Sequence, residues 1–458
     1  MIDRAEIKGK ASEFAIHPSN VQRDYVFGWL LFGLYSDSAL AESLVLKGGN
    51  CFRKAYFPNT RFSRDLDFAT ESQVDERVLH EQFNQVCAVA QAASGVTFDI
   101  ERNNVRLQQE IDNTRRQFEV RIYFKDFYGN PEKFTISVSV DVTEFDRIYL
   151  PPQKRLLIHP YSDAGLCRVE VRCLKLEEML AAKLKCLLQR REVSDLYDLV
   201  YSIFINRDLD VIRSEVASTF LRKTIFQPSP GVARQLLLAL PLTLLRTAWE
   251  RYIIVPVQSV LDLDWSIQQF HSFVLELFRP FGEPAYARFA YFPSHLRTPI
   301  LEAGQGLRLL SLIYDGIRRT VEPYSLVFKR RKDGYGQEYF YVYDRTGGRS
   351  GPGIKALLNT KVESLELLDE TFTPRYAVEL AKAGEQSGSG YFARPFRRGA
   401  GRTSRPRTPG WVYVVECSYC NRRFRRRQRN TRIAKHNDSY GNPCYGRSGY
   451  IVDQNYET

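Results

Sequence analysis

Leu46-Lys47-Gly48-Gly49-Asn50-Cys51-Phe52-Arg53 and, after a short spacer, Arg61-Phe62-Ser63-Arg64-Asp65-Leu66-Asp67-Phe68 decide how this chain is read. Two glycines follow an apolar run, and an Asp-Leu-Asp-Phe alternation follows the glycines. In a strand successive side chains alternate faces, so Asp65 and Asp67 point one way while Leu66 and Phe68 point into a core. Two carboxylates on one face repel unless a cation lies between them. Mg²⁺ held by carboxylates and substrate phosphates is the usual solution. Glycines let backbone N–H groups approach a phosphate closely. Either motif alone is common in ordinary strands and turns; their order and proximity point to a nucleotide-phosphate and metal site.

Working outward, Thr135-Ile136-Ser137-Val138-Ser139-Val140-Asp141-Val142 alternates cleanly and ends in an acidic residue. In a sheet, Asp141 could meet Asp65 and Asp67 as a third carboxylate; the alternative is an ordinary strand-end aspartate. Further on, Leu176, Met179, Leu180, Leu184 and Leu187 form a helical apolar stripe that carries Lys183. Arg190-Arg191 and Asp195-Leu196-Tyr197-Asp198-Leu199 follow. A helical lysine beside a carboxylate site suits triphosphate binding, although an amphipathic helix with surface charges is the plainer reading.

An apolar residue, Gly-Gly, a spacer and two alternating acids resemble the signature of the nucleotidyltransferase superfamily. The wording of residues 46–68, together with the Lys183, Arg190 and Asp195–Leu199 block, is similar to its AbiEii/AbiGii toxin branch. The resemblance spans about three-fifths of the chain. It implies catalytic Asp65, Asp67 and Asp141 on Mg²⁺, Lys183 on nucleotide phosphates, and Asp195 holding Lys183 by an ion pair. Asp198 is a weaker candidate, able to cap or brace its helix. Lys47, Gly48, Gly49, Ser63 and Arg64 are further nucleotide-binding candidates.

The chain has 458 residues, room for roughly three domains. A hydrophobic content of 44% supports real cores and excludes a disordered protein. With no long apolar run and no basic-then-apolar N-terminus, the expectation is a cytoplasmic protein with no membrane partner. Net charge is +12, but residues 388–435 hold 14 basic residues and a single acidic one, leaving the remainder near neutrality. That local basicity suits a polyanion such as nucleic acid; a solubilising linker is the alternative. Cys51, Cys87, Cys167, Cys173 and Cys186 read as reduced core thiols.

The expected fold class is α+β, a nucleotidyltransferase mixed sheet with a helical lobe, then a small Sm/SH3-like β barrel and a zinc finger. Residues 1–175 are assigned to the catalytic domain and 176–280 to the helical lobe. Residues 281–306 read as a linker, 307–380 as the barrel, 381–410 as a basic flexible linker and 411–458 as the finger. Helices are expected up to about residue 45 and over 71–95, with strands at Val96–Ile100, Gln117–Tyr123 and Phe134–Val142. Leu309–Arg318 reads as a short helix, and Asp333-Gly334 as a turn between strands.

Residues 307–380 resemble a WYL domain through Arg319–Tyr324, Glu338–Tyr343 and Asp369–Phe372, with Glu338-Tyr339-Phe340 replacing the namesake Trp-Tyr-Leu. The resemblance implies a nucleic-acid or nucleotide-signal contact through residues such as Arg349 and Lys361; a structural brace is the alternative. In the tail, Cys417, Cys420, His436 and Cys444 have the spacing C-x2-C-x15-H-x7-C. That set supplies four tetrahedral ligands for a structural Zn²⁺, which a short polar segment needs as a staple. Arg422, Arg423, Arg425, Arg426, Arg427 and Arg429 would coat such a finger for phosphate-backbone binding.

The AbiEii resemblance implies a toxin–antitoxin or phage-defence enzyme that moves a nucleoside monophosphate from an NTP to RNA, with tRNA the favoured acceptor, and a cognate antitoxin partner. Two other classes stay open. One is nucleotidylation of a protein or small molecule. The other is a nucleic-acid-binding regulator with an inactive catalytic lobe.

Overall fold

The computed structural model describes residues 1–110, 115–129, 135–206, 209–282, 290–330, 336–347, 351–385 and most of 410–457. The chain divides into two compact units, Met1–Arg394 and Pro395–Thr458. Among the described residues no helix is long and apolar enough to cross a membrane.

In the first unit, α1 (Arg4–Phe14) and α2 (Pro18–Asp37) lead to β1 (Val45–Lys47). The helical expectation up to residue 45 therefore ends at Asp37, and turns fill the gap. A helical turn, α3 (Gly48–Cys51), runs on into a π-turn at Phe52–Tyr56, followed by β2 (Asp65–Ala69) and α4 (Glu76–Ser94). The Asp75 side chain caps α4 by accepting from Arg77 N at 2.8 Å, and Gly95 ends it in the left-handed region. Next come β3 (Asn104–Glu110), β4 (Arg116–Lys125), β5 (Thr135–Thr143), β6 (Gln153–Leu156) and β7 (Glu170–Cys173). The strand expected at Val96–Ile100 is reduced to one bridge, Phe98 to Phe124; the regular strand starts at Asn104 instead.

These strands form one mixed sheet in the order β3-β4-β5-β2-β1-β7-β6. β2 pairs antiparallel with β1 and parallel with β5, which places it at the centre. α2 is apolar nearly all round and buries Tyr25, Phe27 and Trp29. Full burial of such side chains contributes about 1.5–3 kcal/mol each, an upper range for extended-chain references.

The helical part follows: α5 (Leu176–Gln189), α6 (Val193–Val200), α7 (Arg213–Lys223), α8 (Pro230–Leu238), α9 (Arg246–Tyr252) and α10 (Leu263–Phe278). Its core is continuous with that of the sheet, from Ile2 through Phe278. The junction at residues 175 and 176 lies within this continuous core.

The segment read as a linker contains α11 (Ser294–Gly306). Pro299 lies inside that helix and Gly304 and Gly306 near its end, a composition that reads as irregular chain. Packing overrides it: Leu296, Ile300 and Leu301 are buried against the strands that follow. Arg297 donates to both oxygens of Glu338 at 2.8 Å, fixing the helix to the sheet inside the core.

Those strands are β8 (Arg308–Tyr314), β9 (Ile317–Arg330), β10 (Gly336–Asp344), β11 (Gly353–Leu357) and β12 (Val362–Thr371), all antiparallel in the order β11-β10-β9-β8-β12. The short helix expected at Leu309–Arg318 is thus a hairpin. Tyr314 pairs with Ile317 across Asp315-Gly316, both at positive φ, the two-residue turn that Asp-Gly favours. A dense apolar run does not tell helix from strand by period alone. Asp333-Gly334 and Arg349 lie outside the described residues.

The second unit holds β13 (Gly410–Cys417), β14 (Arg423–Arg426), β15 (His436–Asn437), β16 (Pro443–Cys444) and β17 (Gly449–Glu457). They form a three-stranded sheet, β14-β13-β17, and a small ribbon, β15-β16.

Candidate functional site

Strand register builds the first part of the site. Asp67 stands opposite Lys47 on β1 and opposite Asp141 on β5, while Asp65 stands opposite Ser139. Residues opposite one another share a face. Leu66, Phe68, Val140 and Val142 fill the core side, so the three aspartates emerge together on the other. Their carboxylate oxygens lie within 4.8 Å of one another. Burial and the Asp65 charge push the Asp67 carboxyl up to about 7. The same two causes, with Glu119, push Asp141 up to about 6. Glu119 stands opposite Asp141 on β4 and is held by Arg106 and by Arg121 at 2.7 Å.

The glycines let the backbone reach this cluster. Gly48 has φ +70°, and a Cβ there would lie 2.0 Å from Asp67 Oδ2. A Cβ on Gly49 would lie 2.6 Å from both Ser63 Oγ and Arg61 Nη2. The Ser63 hydroxyl donates to Asp65 Oδ1 at 3.0 Å, and the Asn50 amide donates to the Asp65 carbonyl. Arg64 is exposed and lines a cavity together with Asp65 and Asp67.

α5 and α6 supply a cationic wall. Lys183 Nζ lies 2.9 Å from Asp195 Oδ1 and 2.8 Å from Asp198 Oδ2. Arg61 grips Asp198 with two bonds of 2.7 and 2.8 Å, and Arg190 grips Asp195 at 3.0 and 3.1 Å. Burial alone would lower the Lys183 ammonium; the Asp195 and Asp198 carboxylates outweigh it and hold it raised. Burial would likewise raise Asp195, and Lys183 and Arg190 instead hold it below the usual carboxylate range. The sequence reading did not assign Arg61 and gave Asp198 as able to cap or brace its helix; in the structure Asp198 contacts both Lys183 and Arg61. Asp198 ties Lys183 to the residue that abuts Gly49.

A second cationic group surrounds Asp146, just past β5. Lys47 Nζ contacts Asp146 Oδ2 at 2.6 Å and Thr143 Oγ1 at 3.2 Å. Lys223 pairs with Glu178, and Lys185 pairs with Glu385 at 2.7 Å. Lys47, Lys185 and Lys223 outweigh burial and hold Asp146 well below its ordinary value. Both groups open on one cavity of about 680 Å³ that includes Gly48, Gly49, Asp65 and Asp67 in its lining. Lysines and arginines outnumber Asp65, Asp67, Asp146 and Glu192 in its lining, with apolar side chains such as Phe52, Leu174 and Met179 between them, so it can take a polyanion whose charge is bridged to Asp65 and Asp67 by a cation.

In the second unit, described by itself, Cys417, Cys420, His436 and Cys444 bring their ligand atoms within 4.8 Å of one another. Cys417 Sγ and Cys444 Sγ are 3.9 Å apart, and Cys420 Sγ is 3.2 Å from His436 Nε2. A tetrahedral zinc with bonds of about 2.3 Å to sulfur and about 2.0 Å to nitrogen needs edges of about 3.8 and 3.5 Å. The His436 Nδ1 lies 2.9 Å from the Ala434 carbonyl, the outer contact that fixes a metal-binding imidazole. Among the six tail arginines, Arg426 is half-buried and Arg429 exposed. The Arg422, Arg423, Arg425 and Arg427 side chains lie outside the described set.

No curated protein matches the chain. MenT4, a nucleotidyltransferase toxin from Mycobacterium tuberculosis H37Rv, is a similar solved structure at 20% identity; the match covers 60% of this chain and 90% of that one, with a TM-score of 0.39. Residues 29–270 match the family described as nucleotidyl transferase AbiEii toxin, type IV toxin–antitoxin system, and they include all three aspartates, both glycines and the Lys183 network. The chain belongs to the AbiEii nucleotidyltransferase toxin family.

Proposed function

We propose that the first unit transfers a nucleoside monophosphate from an NTP to a hydroxyl of an RNA, with tRNA the favoured acceptor, using Mg²⁺. The observation that carries the reading is the trio of carboxylates on β2 and β5, set beside a cationic cavity. The residues fit a divalent cation. Three carboxylates converge, Asp141 Oδ1 is buried with no hydrogen-bond partner, and burial together with the Asp65 charge pushes the Asp67 carboxyl up.

Asp65, Asp67 and Asp141 would hold the metal, which when bound neutralises phosphate charge and lowers the barrier to displacement at the α-phosphorus. Lys183 has three N–H donors; two face Asp195 and Asp198, leaving the third for a phosphate oxygen. Ser63 and the Gly48-Gly49 backbone orient the triphosphate, while Arg61 and Arg190 hold the carboxylates that aim Lys183. The acceptor oxygen bonds to the α-phosphorus as the bond to pyrophosphate breaks, and the hydroxyl proton passes to solvent. Catalysis then rests on positioning and electrostatics.

Family membership supports a cognate antitoxin partner. The tail's Cys₃His set would hold a structural Zn²⁺ in a segment whose arginine content suits nucleic acid. The five-stranded antiparallel sheet supports a WYL-like barrel. Within it Lys361 pairs with Asp315 at 2.8 Å, which favours a bracing role for that residue.

The test incubates the full chain with Mg²⁺, each labelled NTP in turn, and total RNA or protein. Label on a tRNA-sized band, absent with Asp65→Ala/Asp67→Ala, is expected. Label on protein instead, or none with any nucleotide, overturns the proposal.

A further inference from the structure

The two cationic groups lie on opposite sides of the aspartates along the strand axis. Arg61 and Ser63 precede Asp65 at the start of β2, and Arg61 is tied to Lys183 through Asp198. At the other end, Ala69 pairs with Thr143, and Lys47 reaches past Asp67 to Thr143 and Asp146. Four residue steps separate Asp65 from Ala69, about 13 Å of strand. An in-line displacement needs the leaving and attacking oxygens on opposite sides of the phosphorus. If the Lys183 side takes the departing pyrophosphate, the Asp146 side faces the acceptor.

That side gathers three lysines, each with a carboxylate partner. Lys47, Lys185 and Lys223 all line the cavity, with 22%, 21% and 13% of their side chains exposed. Two of their counter-charges are built in: Asp146 sits among all three lysines, and Glu178 is fully buried, accepting from Tyr149 N and Leu150 N. The third differs. Glu385 arrives from beyond β12, 200 residues away from Lys185, on a segment joined to the catalytic helices by the Thr224 bridge and by Ile225 N to Gly384 O at 3.0 Å. Its carboxylate meets Lys185 and Arg115 as a phosphate would.

Resting on the reading above, we propose that Lys47, Lys185 and Lys223 form a subsite for the phosphodiester backbone of an RNA acceptor, and that Glu385 is the displaceable anion holding Lys185 there. Released pyrophosphate has the same chemistry, so the test separates the two. In the full chain, Lys185→Gln and Lys223→Gln should each raise acceptor KM about tenfold, the scale of one charge-assisted contact, and leave NTP KM within about twofold. Glu385→Gln should move acceptor KM the other way, down about threefold, which loss of a merely structural ion pair would not do. The salt slope of acceptor kcat/KM should flatten by about 0.7 per lost phosphate contact.

A rise in NTP KM or a change in pyrophosphate inhibition, with acceptor KM fixed, overturns the assignment in favour of the leaving group. Weaker acceptor binding with Glu385→Gln overturns its role as a placeholder. Should the wild type label no acceptor, anisotropy of a labelled single-stranded RNA 12-mer reads the subsite without catalysis. Equal affinity for wild type, Lys185→Gln and Glu385→Gln then refutes the subsite itself.

Discussion

Replacing Lys183 by methionine tests the central network. The ammonium touches two carboxylates, at 2.9 and 2.8 Å, whose side chains have no solvent exposure. At an effective dielectric constant near 20, each attraction is about 6 kcal/mol at these distances. Burying the ammonium costs several kcal/mol in return. Removing one member of a buried ion pair typically costs about 3–5 kcal/mol, because a charge is left uncompensated. Here Asp195 keeps Arg190 and Asp198 keeps Arg61, so the loss should sit at the lower end, about 3 kcal/mol. Urea unfolding monitored by the fluorescence of Trp29 and Trp249, both buried, reads this as a lower midpoint with an unchanged slope. Losing the third donor should also weaken NTP binding about 10–100-fold, as expected for a hydrogen bond to a charged group. A stability change below about 1 kcal/mol together with unaltered NTP affinity would refute the network as drawn.

The raised Asp67 carboxyl fixes a sign for pH dependence. A group whose folded pKa is raised contributes stability that is complete below its unfolded value and lost as pH rises through the folded one, here about 7. The metal-free protein should therefore melt higher at about pH 6.5 than at about pH 8, and Asp67→Asn should remove most of that difference; an unchanged profile in the variant would contradict the assignment. At lower pH the buried His159, held below its ordinary value by burial, opposes the trend. Gly48→Ala should abolish nucleotide transfer and cost about 1–3 kcal/mol, because the φ of +70° and the 2.0 Å approach to Asp67 both exclude a Cβ; near-normal labelling would show that the turn is not close-packed on the site. In the tail, Val415, Cys417, Ile433 and Cys444 are the buried cluster, too small to hold a fold alone. Elemental analysis should find one zinc per chain, and a strong chelator should make Pro395–Thr458 protease-sensitive while Met1–Arg394 stays resistant; retained protection without metal would count against the site.

Much of the carboxylate geometry was legible in sequence because it is local and periodic. The alternation of Asp65-Leu66-Asp67-Phe68 and of Val138-Ser139-Val140-Asp141-Val142 assigns each carboxylate to a face, since the neighbours on the other face must be buried. The clustering of Cys417, Cys420, His436 and Cys444 was legible for a related reason: thiols and an imidazole at short spacing have few other uses in a polar segment. Where local signals conflicted with burial, reading failed. Pro299 and two glycines disguised α11, whose apolar face is held by the sheet and whose Arg297 needs Glu338. The Leu309–Ile313 run was apolar enough for either period, and the Asp315-Gly316 hairpin decided it.

By itself, then, the sequence determined which side chains share a face, which turns require glycine and which residues could ligate a metal. These properties follow from backbone geometry within a few residues. Tertiary structure alone decided the partners across the fold: Asp67 beside Asp141 on neighbouring strands, Arg61 on Asp198, and Lys185 on Glu385. Such pairs are 137 and 200 residues apart for the two ion pairs. No local period encodes them, because they form only when buried apolar surfaces dock and leave the charges nowhere else to be neutralised.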